Sequence, residues 1–324
     1  MAIKLPAYDE LPVDPAMPPG SSWGLWGADD RFGALNKIDK AAIVRGFAAV
    51  VSHDVFRLDL PLDEPNPPLF DRAAFEHTVT WLPGDAGHDD SLSNWNTQSS
   101  TQWDGFRHIK HPVLGFYNAV ADEDHGINYW AERGIVTRAV LCDVGRFLER
   151  DGRPLDYAST QPIGAVEILH ALDAQGSIIE AGDVLLIRTG WMEWYLAQDH
   201  DVRAKLASDL ATPGLAPGRA TIEMLWNLHV GAVAVDNPAV EAWPATGHIE
   251  RSEIDRFLAS GQFEEVFAHF ALLPLLGIPL GEFFQLGALA DACSRDGRYT
   301  SLLTSSPLNL THGVASPPNA LAIR

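Results

Sequence analysis

The stretch Gln98-Ser-Ser-Thr-Gln-Trp-Asp-Gly-Phe-Arg-His108-Ile-Lys-His111 holds one carboxylate, two imidazoles, two side-chain amides and an indole within fourteen residues. The carboxylate of Asp104 suits a hard cation or a base, and the imidazoles of His108 and His111 suit proton transfer near neutral pH. Gln98 and Gln102 are neutral acceptors at positions where a metal site more often has imidazole or carboxylate. The stretch therefore predicts a polar functional site and leaves metal binding open.

Two local conformations would gather part of this stretch around one point. If residues 102–104 are extended, the side chains of Gln102 and Asp104 point to the same side. If residues 104–108 form a helical turn, Asp104 and His108 share a face, and His111 follows three residues later. A third interpretation is a hydrogen-bonded loop in which His108 only braces the chain.

Outward from this stretch, strand-like and helix-like segments alternate, although the first strands follow one another closely. Strands are expected at 54–61, 77–82, 137–144, 183–190 and 231–236, and helices at 41–51, 164–175, 201–211 and 217–229. We expect a polar loop at 83–96 and an apolar strand or loop at 266–276. The pattern predicts an α/β fold with a mixed sheet flanked by helices. No linker interrupts residues 22–324, so one domain should follow a Pro-rich extension at 1–21.

Composition and charge limit the classes of molecule that this chain is expected to bind. The chain has 324 residues and a net charge of −20, which disfavours nucleic acid and anionic membranes because both need a basic surface. No apolar run approaches the roughly 18 residues of a membrane span, and the N-terminus lacks the pattern of a signal peptide. Two cysteines far apart in the sequence fit a reducing, cytoplasmic setting. We expect a small-molecule substrate.

Common cofactor and nucleophile motifs are absent from the sequence. There is no G-x-G-x-x-G after a strand and no G-x-x-x-x-G-K-[ST], so neither dinucleotides nor nucleoside triphosphates are indicated. There is also no G-x-S-x-G and no H-E-x-x-H. With these motifs absent, the sequence favours metal-assisted chemistry or acid/base chemistry by the 98–111 stretch.

The sequence resembles the cyclase family, which contains the bacterial kynurenine formamidases and isatin hydrolase. The family hallmark H-x-G-T-H-x-D-x-P-x-H aligns without a gap to residues 98–108, and Thr101, Asp104 and His108 match it. The first two hallmark histidines are replaced by Gln98 and Gln102, the glycine by a serine and the proline by a phenylalanine. Further similar segments lie at 22–36, 134–143, 182–191, 269–282 and 316–323. The resemblance thus extends over roughly residues 22 to 323.

This resemblance implies a metal-dependent hydrolase with a swivelling β/β/α-type, cyclase-like fold. Carried over by position, Asp104, His269 and Glu282 would be metal ligands, and His108 the acid/base. Gln98 and Gln102 occupy ligand positions without being the ligands of the family. The same resemblance suggests a homodimer or homotetramer.

The two glutamines affect which metal we expect. Imidazole ligands suit Zn²⁺, whereas carboxylate and amide oxygens suit harder ions such as Mn²⁺. We expect one divalent ion, Mn²⁺ ahead of Zn²⁺, held by Asp104, His269 and Glu282 with an oxygen from Gln102. The competing hypothesis is a metal-free site in which Gln98 and Gln102 hydrogen-bond the substrate.

The predicted reaction is hydrolysis of a carbonyl C–N or C–O bond in a small amide or lactam, cyclic or aryl. The alternatives are a non-hydrolytic cyclase or dehydratase, or a member of the family that only binds a ligand. A screen of cyclic imides, lactams, lactones and N-formyl arylamines separates these alternatives, because a binder would show a thermal shift without turnover.

Three further residues are candidates for the site, each with a structural alternative. His111 could be a second proton carrier or a structural residue. Arg188 ends a strand-like run where a substrate pocket could lie, although a structural ion pair is an equal alternative. Trp103 could line an aromatic pocket with Trp95 and Trp191, or belong to the core as most aromatic residues do.

Overall fold

The computed structural model describes residues 5–324, so the first four residues of the predicted N-terminal extension lie outside the described part. A nine-stranded sheet forms its centre, and two small two-stranded sheets accompany it. The strands are β1 Val55–Arg57, β2 Glu76–Trp81, β3 His88–Ser93, β4 Gln102–Asp104, β5 Ile135–Cys142, β6 Pro162–Ile163, β7 Val184–Ile187, β8 Gly214–Leu215, β9 Ala232–Val235, β10 Leu280–Glu282, β11 Thr300–Ser305, β12 Ala315–Ser316 and β13 Ala320–Ile323.

Helices flank this sheet. They are α1 Lys40–Ala48, α2 Asn128–Arg133, α3 Val144–Arg150, α4 Ala165–Ala174, α5 Trp191–Leu196, α6 His200–Ser208, α7 Arg219–Asn227, α8 Arg251–Ser260, α9 His269–Leu272 and α10 Gly287–Asp296. The side-chain carboxylates of Asp39, Asp143 and Asp199 cap the N-termini of α1, α3 and α6, where free backbone N–H groups need acceptors. Across residues 5–324, no helix has the length and apolar character that crossing a membrane requires.

The large sheet is mixed, in the order β1-β13-β11-β5-β7-β9-β10-β4-β12. Strands β5, β7, β9 and β10 run parallel, and antiparallel strands extend the sheet on both sides. Every residue of β7 and β9 is buried, as expected for parallel strands covered on both faces. The predicted α/β class, with a mixed sheet flanked by helices, is confirmed.

The structure differs from the sequence-based expectation at 83–96. Residues 88–93 form β3, which pairs antiparallel with β2 as a hairpin, and every residue of both strands is exposed. Because neither face of β3 is buried, its sequence lacks the apolar alternation by which strands are usually identified. The expected polar loop is therefore wrong for this segment.

The expectation of a strand or loop at 266–276 also needs correction, because residues 269–272 form the short helix α9. A helix of 4 residues is too short for periodicity to separate helix from strand.

The described part of the N-terminal extension lies against α7 of the same chain. The indole Nε1 of Trp226 donates to the carbonyl of Pro6 at 2.9 Å, and the backbone N–H of Tyr8 donates to the side chain of Asn227 at 2.8 Å. These contacts join the extension to the side of the molecule formed by α7.

Candidate active site

Two short strands next to each other in the large sheet position the first half of the site. Strand β4 pairs antiparallel with β10, and Gln102 lies directly opposite Glu282. Since side chains alternate along a strand, Gln102 and Asp104 share one face of β4. The hydroxyl of Thr101 supports this pairing, because it donates to the carbonyl of Phe283 at 2.8 Å just beyond β10.

Trp103 points to the opposite face of β4 and belongs to the core. Its indole is fully buried, packs against Phe284 at a ring separation of 5.0 Å and donates to the hydroxyl of Ser305 at 3.0 Å. Of the two interpretations of Trp103, the structure favours the core, because the alternation that aims Gln102 and Asp104 at the site turns the residue between them away from it.

Asp104, His269 and Glu282 come together as three buried side chains that could hold a metal ion. One potential ligand atom from each lies within 4.8 Å of the others. His269 Nε2 is 3.9 Å from Asp104 Oδ2 and 3.6 Å from Glu282 Oε1. Such separations suit a common cation, because ligands about 2.0–2.2 Å from a metal lie roughly 3–4 Å from each other.

The polar atoms around this point also fit a cation. Within the described residues, Asp104 Oδ2 and Gln102 Oε1 are buried without a hydrogen-bond partner. Buried oxygens rarely remain unpaired, and here both belong to side chains directed at the site. Two oxygens in need of a positive partner, next to an imidazole and a second carboxylate, form a donor set suited to a divalent ion.

Gln102 acts as a bridge between the two carboxylates. Its amide nitrogen donates to Glu282 Oε2 at 2.6 Å and to Asp104 Oδ1 at 3.2 Å. The nitrogen must be the atom between them, since the amide oxygen would repel both carboxylates. The remaining oxygen of the amide is then the unpaired Oε1 described above.

Glu241 supports His269 from behind and was not found by sequence reasoning. Its carboxylate is fully buried, accepts the backbone N–H of His269 at 2.8 Å and has Oε2 2.6 Å from Nδ1 of the ring. That close contact leaves Nε2 as the ring atom facing Asp104 and Glu282. The only signal for Glu241 in the sequence is a charged residue within the otherwise apolar run 239–243.

The clustered charges shift the pKa values of the site. Burial opposes the charged form of His269, but Glu241 and Glu282 outweigh it and raise the pKa of this imidazole to about 10. Burial and the neighbouring carboxylate of Asp104 raise the pKa of Glu282 to about 8. Crowded buried carboxylates thus need a positive partner, which a proton or a cation can supply.

His108 lies at the more open side of the cluster and is linked to it by Gln98. The amide nitrogen of Gln98 is 2.9 Å from Nδ1 of His108 and donates to Asp104 Oδ1 at 3.2 Å. His108 Nε2 is 4.0 Å from Asp104 Oδ1, and the imidazole side chain is 24% exposed. Burial lowers the pKa of His108, so the neutral imidazole is favoured near pH 7.

Arg72 is a second residue that sequence reasoning missed. The guanidinium Nη1 donates to the backbone carbonyl of Gln98, which brings a cation to the mouth of the site. Arg72 comes from the Pro-rich loop before β2, where its sequence neighbours carry no pattern that indicates a site.

His111 and Arg188 lie outside this cluster. His111 Nδ1 accepts the backbone N–H groups of Val113 and Leu114 at 3.2 and 3.1 Å, which braces a local turn. Arg188 pairs with Asp143 at 2.8 Å and with Glu193 at 3.2 Å. Neither residue hydrogen-bonds or ion-pairs with the described residues of the cluster, so the structure gives both a bracing role.

Comparison with known structures finds the same architecture. A crystal structure described as a novel cyclase is 28% identical, with a TM-score of 0.79, and the match covers 94% of this chain and 99% of that one. Isatin hydrolase A from Labrenzia aggregata, bound to benzyl benzoate, is 16% identical with a TM-score of 0.58, covering 86% and 96% of the two chains. An isatin hydrolase bound to the product analogue thioisatinate is also 16% identical, with a TM-score of 0.57 over 88% and 98%.

The search of curated proteins finds no match to this chain. The model of the Cyclase family matches residues 51–242, which is more than half of the chain and includes the 98–111 stretch, Arg72 and Glu241. The sequence and the architecture agree on this assignment, and the chain belongs to the cyclase family.

Proposed function

We propose that this protein is a metal-dependent hydrolase that cleaves a carbonyl C–N or C–O bond in a small amide or lactam, cyclic or aryl. The observation that carries the proposal is the convergence of Asp104 Oδ2, His269 Nε2 and Glu282 Oε1 beside the imidazole of His108. The likeness in fold to isatin hydrolases adds support, because those proteins are named as hydrolases.

Asp104, His269 and Glu282 would hold one divalent ion, with Gln102 Oε1 as a further oxygen donor. When bound, such an ion supplies Lewis acidity that polarises a carbonyl group and makes water more acidic. Three of these four donors are oxygens, which favours Mn²⁺ over Zn²⁺. The two glutamines contribute amide hydrogen bonds that hold Asp104 in place.

His108 would move the proton of the reaction. The amide nitrogen of Gln98 is 2.9 Å from Nδ1 of His108 and 3.4 Å from Nε2, so the closer contact favours Nδ1 as the acceptor and Nε2 as the protonated atom of the neutral ring. Nε2 is therefore the atom from which we expect a proton to pass to the departing nitrogen or oxygen. Partial exposure of the ring allows a substrate to reach it.

A panel of cyclic imides, lactams, lactones and N-formyl arylamines tests the proposal. The Mn²⁺-loaded protein is expected to hydrolyse at least one of these classes. Thermal shifts without turnover across the whole panel would exclude hydrolysis of these bonds and favour a ligand-binding member. Ring closure or loss of water without hydrolysis would favour a cyclase or dehydratase. This is the second candidate function, because two glutamines occupy hallmark histidine positions.

Replacing both glutamines with histidine should change the metal preference. In Gln98→His/Gln102→His the affinity for Zn²⁺ relative to Mn²⁺ is expected to rise by about tenfold or more, because imidazole suits Zn²⁺. Competition with a metal indicator measures both affinities. Gln262→His, which adds an imidazole at an exposed position, controls for adventitious Zn²⁺ binding. An unchanged Zn²⁺/Mn²⁺ ratio in the double variant would mean that positions 98 and 102 do not reach the ion.

Removing the charge of Glu241 should weaken metal binding through His269. In Glu241→Gln the affinity for Mn²⁺ is expected to fall by about 10- to 100-fold, since carboxylates behind a ligand imidazole orient it and raise its basicity. Isothermal titration of the metal into the folded variant checks this. Glu265→Gln, an acid that contacts the start of α7 instead, is the matched control. Equal Mn²⁺ affinity in wild type and Glu241→Gln would rule out this role.

A further inference from the structure

Arg72 has an unusual setting for a partly buried arginine. Within the described residues, its one hydrogen bond runs from Nη1 to the carbonyl of Gln98, and no carboxylate lies within ion-pair distance of it. Its other guanidinium nitrogens make no hydrogen bond, yet they are not among the fully buried unpaired atoms, so they keep contact with solvent. Most of the five N–H donors of this side chain are therefore free.

Several other partly buried arginines of the chain are paired with acids. Arg203 forms a two-pronged contact with both carboxylate oxygens of Glu64 at 3.1 Å, and Arg138 contacts Asp183 at 2.6 and 3.1 Å. Pairing of this kind is a common way in which a guanidinium shielded from solvent is stabilised. Arg72 differs from them in lacking an internal carboxylate partner.

The guanidinium of Arg72 faces the candidate active site. Its bond to the Gln98 carbonyl places it next to the residue that contacts both Asp104 and His108. Burial lowers the pKa of Arg72, while the nearby carboxylates of Glu282 and Asp104 oppose this shift. Burial also lowers the pKa of His108, and the charge of Arg72 adds to that shift. A positive charge thus stands near the proton-transfer residue.

A row of half-buried aromatic rings connects Arg72 to the ligand His269. The guanidinium lies 5.0 Å from the ring of Phe70, which meets Trp243 edge-on at 5.3 Å. Trp243 contacts Phe267 at 6.3 Å, and Phe267 stacks on the imidazole of His269 at 4.4 Å. This wall, formed by Phe70, Trp243 and Phe267, offers half-buried aromatic surface that suits a flat apolar body.

We propose that Arg72 selects substrates that carry a carboxylate, by pairing its free N–H groups with that acidic group while the aromatic wall packs against the apolar body. A guanidinium presents parallel N–H donors that match a carboxylate in a two-pronged geometry. This inference rests on the proposed hydrolase function only for the identity of the reaction. The selection of carboxylates by Arg72 is a binding property.

Two other roles for Arg72 give different outcomes. A tether that only holds the loop before β2 to Gln98 would affect stability without changing ligand preference. A group that stabilises negative charge developing on the reacting carbonyl would lower turnover equally for charged and neutral substrates. A carboxylate-binding residue instead affects acidic ligands selectively.

The test compares benzoate with its neutral counterpart benzamide as non-hydrolysable probes of the Mn²⁺-loaded, full-length protein. Wild type is expected to bind benzoate about 10- to 100-fold more tightly than benzamide, the range of a hydrogen-bonded charge pair. Arg72→Met should abolish this preference and leave benzamide affinity unchanged. Arg256→Met, on the exposed helix α8, removes the same net charge and should retain the preference.

Several results would overturn the inference. A wild type that binds benzoate no more tightly than benzamide contradicts the inference. A preference for benzoate that survives in Arg72→Met also contradicts it, because the carboxylate would then bind elsewhere, such as on the ion. If Arg72→Met does not fold, Arg72→Lys decides: the preference should fall at least threefold, because lysine loses the planar fork, and an unchanged preference would contradict the inference.

Formanilide and its ring carboxylates separate this inference from the proposed function. Equal kcat/KM for formanilide and all its ring carboxylates would agree with the proposed hydrolase function and exclude selection of carboxylates by Arg72. Conversely, an Arg72-dependent preference for benzoate in a protein that hydrolyses no amide would support the binding inference and contradict the proposed reaction.

Discussion

Turnover of the best substrate from the panel is expected to fall by about 10³-fold or more after the divalent ion is removed, since a Lewis acid contributes several kcal/mol to such reactions. Removal also leaves Asp104 and Glu282 as neighbouring buried carboxylates without a positive partner beyond His269. The melting temperature of the chelated protein should therefore drop and recover when Mn²⁺ is added.

The measurement combines elemental analysis of protein purified without added metal with kinetics before and after EDTA treatment and desalting. One equivalent of metal per chain and recovery of activity with Mn²⁺ are the expected results. Recovery with Mg²⁺ alone would argue against a site that needs an imidazole ligand. Full turnover in protein that elemental analysis finds free of metal would exclude the metal-dependent mechanism and favour direct binding of substrate by Gln98 and Gln102.

His108→Ala should lower kcat by about 10²- to 10⁴-fold, the range in which a positioned acid/base contributes. The imidazole lies partly exposed beside Asp104 and is the proposed proton carrier, and alanine leaves no group to exchange a proton with the substrate. KM should change less than kcat, because His108 is assigned to the chemical step. Steady-state kinetics of the Mn²⁺-loaded variant provides the comparison, with metal content checked in parallel.

His111→Asn is the matched control for this variant. His111 lies in the same stretch and also has a pKa lowered by burial, but its ring braces a turn away from the cluster. Asparagine can keep an acceptor near the backbone N–H groups of that turn, so activity close to wild type is expected. If His108→Ala retained normal kcat, or if both variants lost activity equally, the proton-transfer role of His108 would have to be abandoned.

Local sequence pattern was sufficient for much of the framework. The parallel strands β7 and β9 are continuous apolar runs, which buried parallel strands require, and helices such as α4 show an apolar face at helical spacing. The pattern failed at β3 and at α9. Strand β3 has no buried face, and helix α9, with 4 residues, is too short to show a periodicity.

For the candidate site, too, the sequence supplied one part and the tertiary structure the other. The residue types at 98, 102, 104 and 108 are a property of the sequence, and so is the departure of two of them from the family hallmark. Resemblance extended the list to His269 and Glu282. Tertiary structure decided the rest: it turned Trp103 into the core, placed His111 and Arg188 outside the cluster, and brought Glu241 behind His269.

Glu241 and Arg72 show why sequence alone was not enough. Glu241 lies 28 positions from the imidazole that it supports, and Arg72 lies 26 positions from the carbonyl that it contacts. Whether a charged side chain is paired, free or aimed at a site depends on which distant segments the sheet order brings beside it. The sequence by itself determined the chemical groups available and most of the parallel strands at the centre of the sheet, but not the short strands β4 and β10 that carry Gln102, Asp104 and Glu282. Only the tertiary structure determined which of these groups share one buried, low-dielectric space, where their charges shift the pKa values of one another.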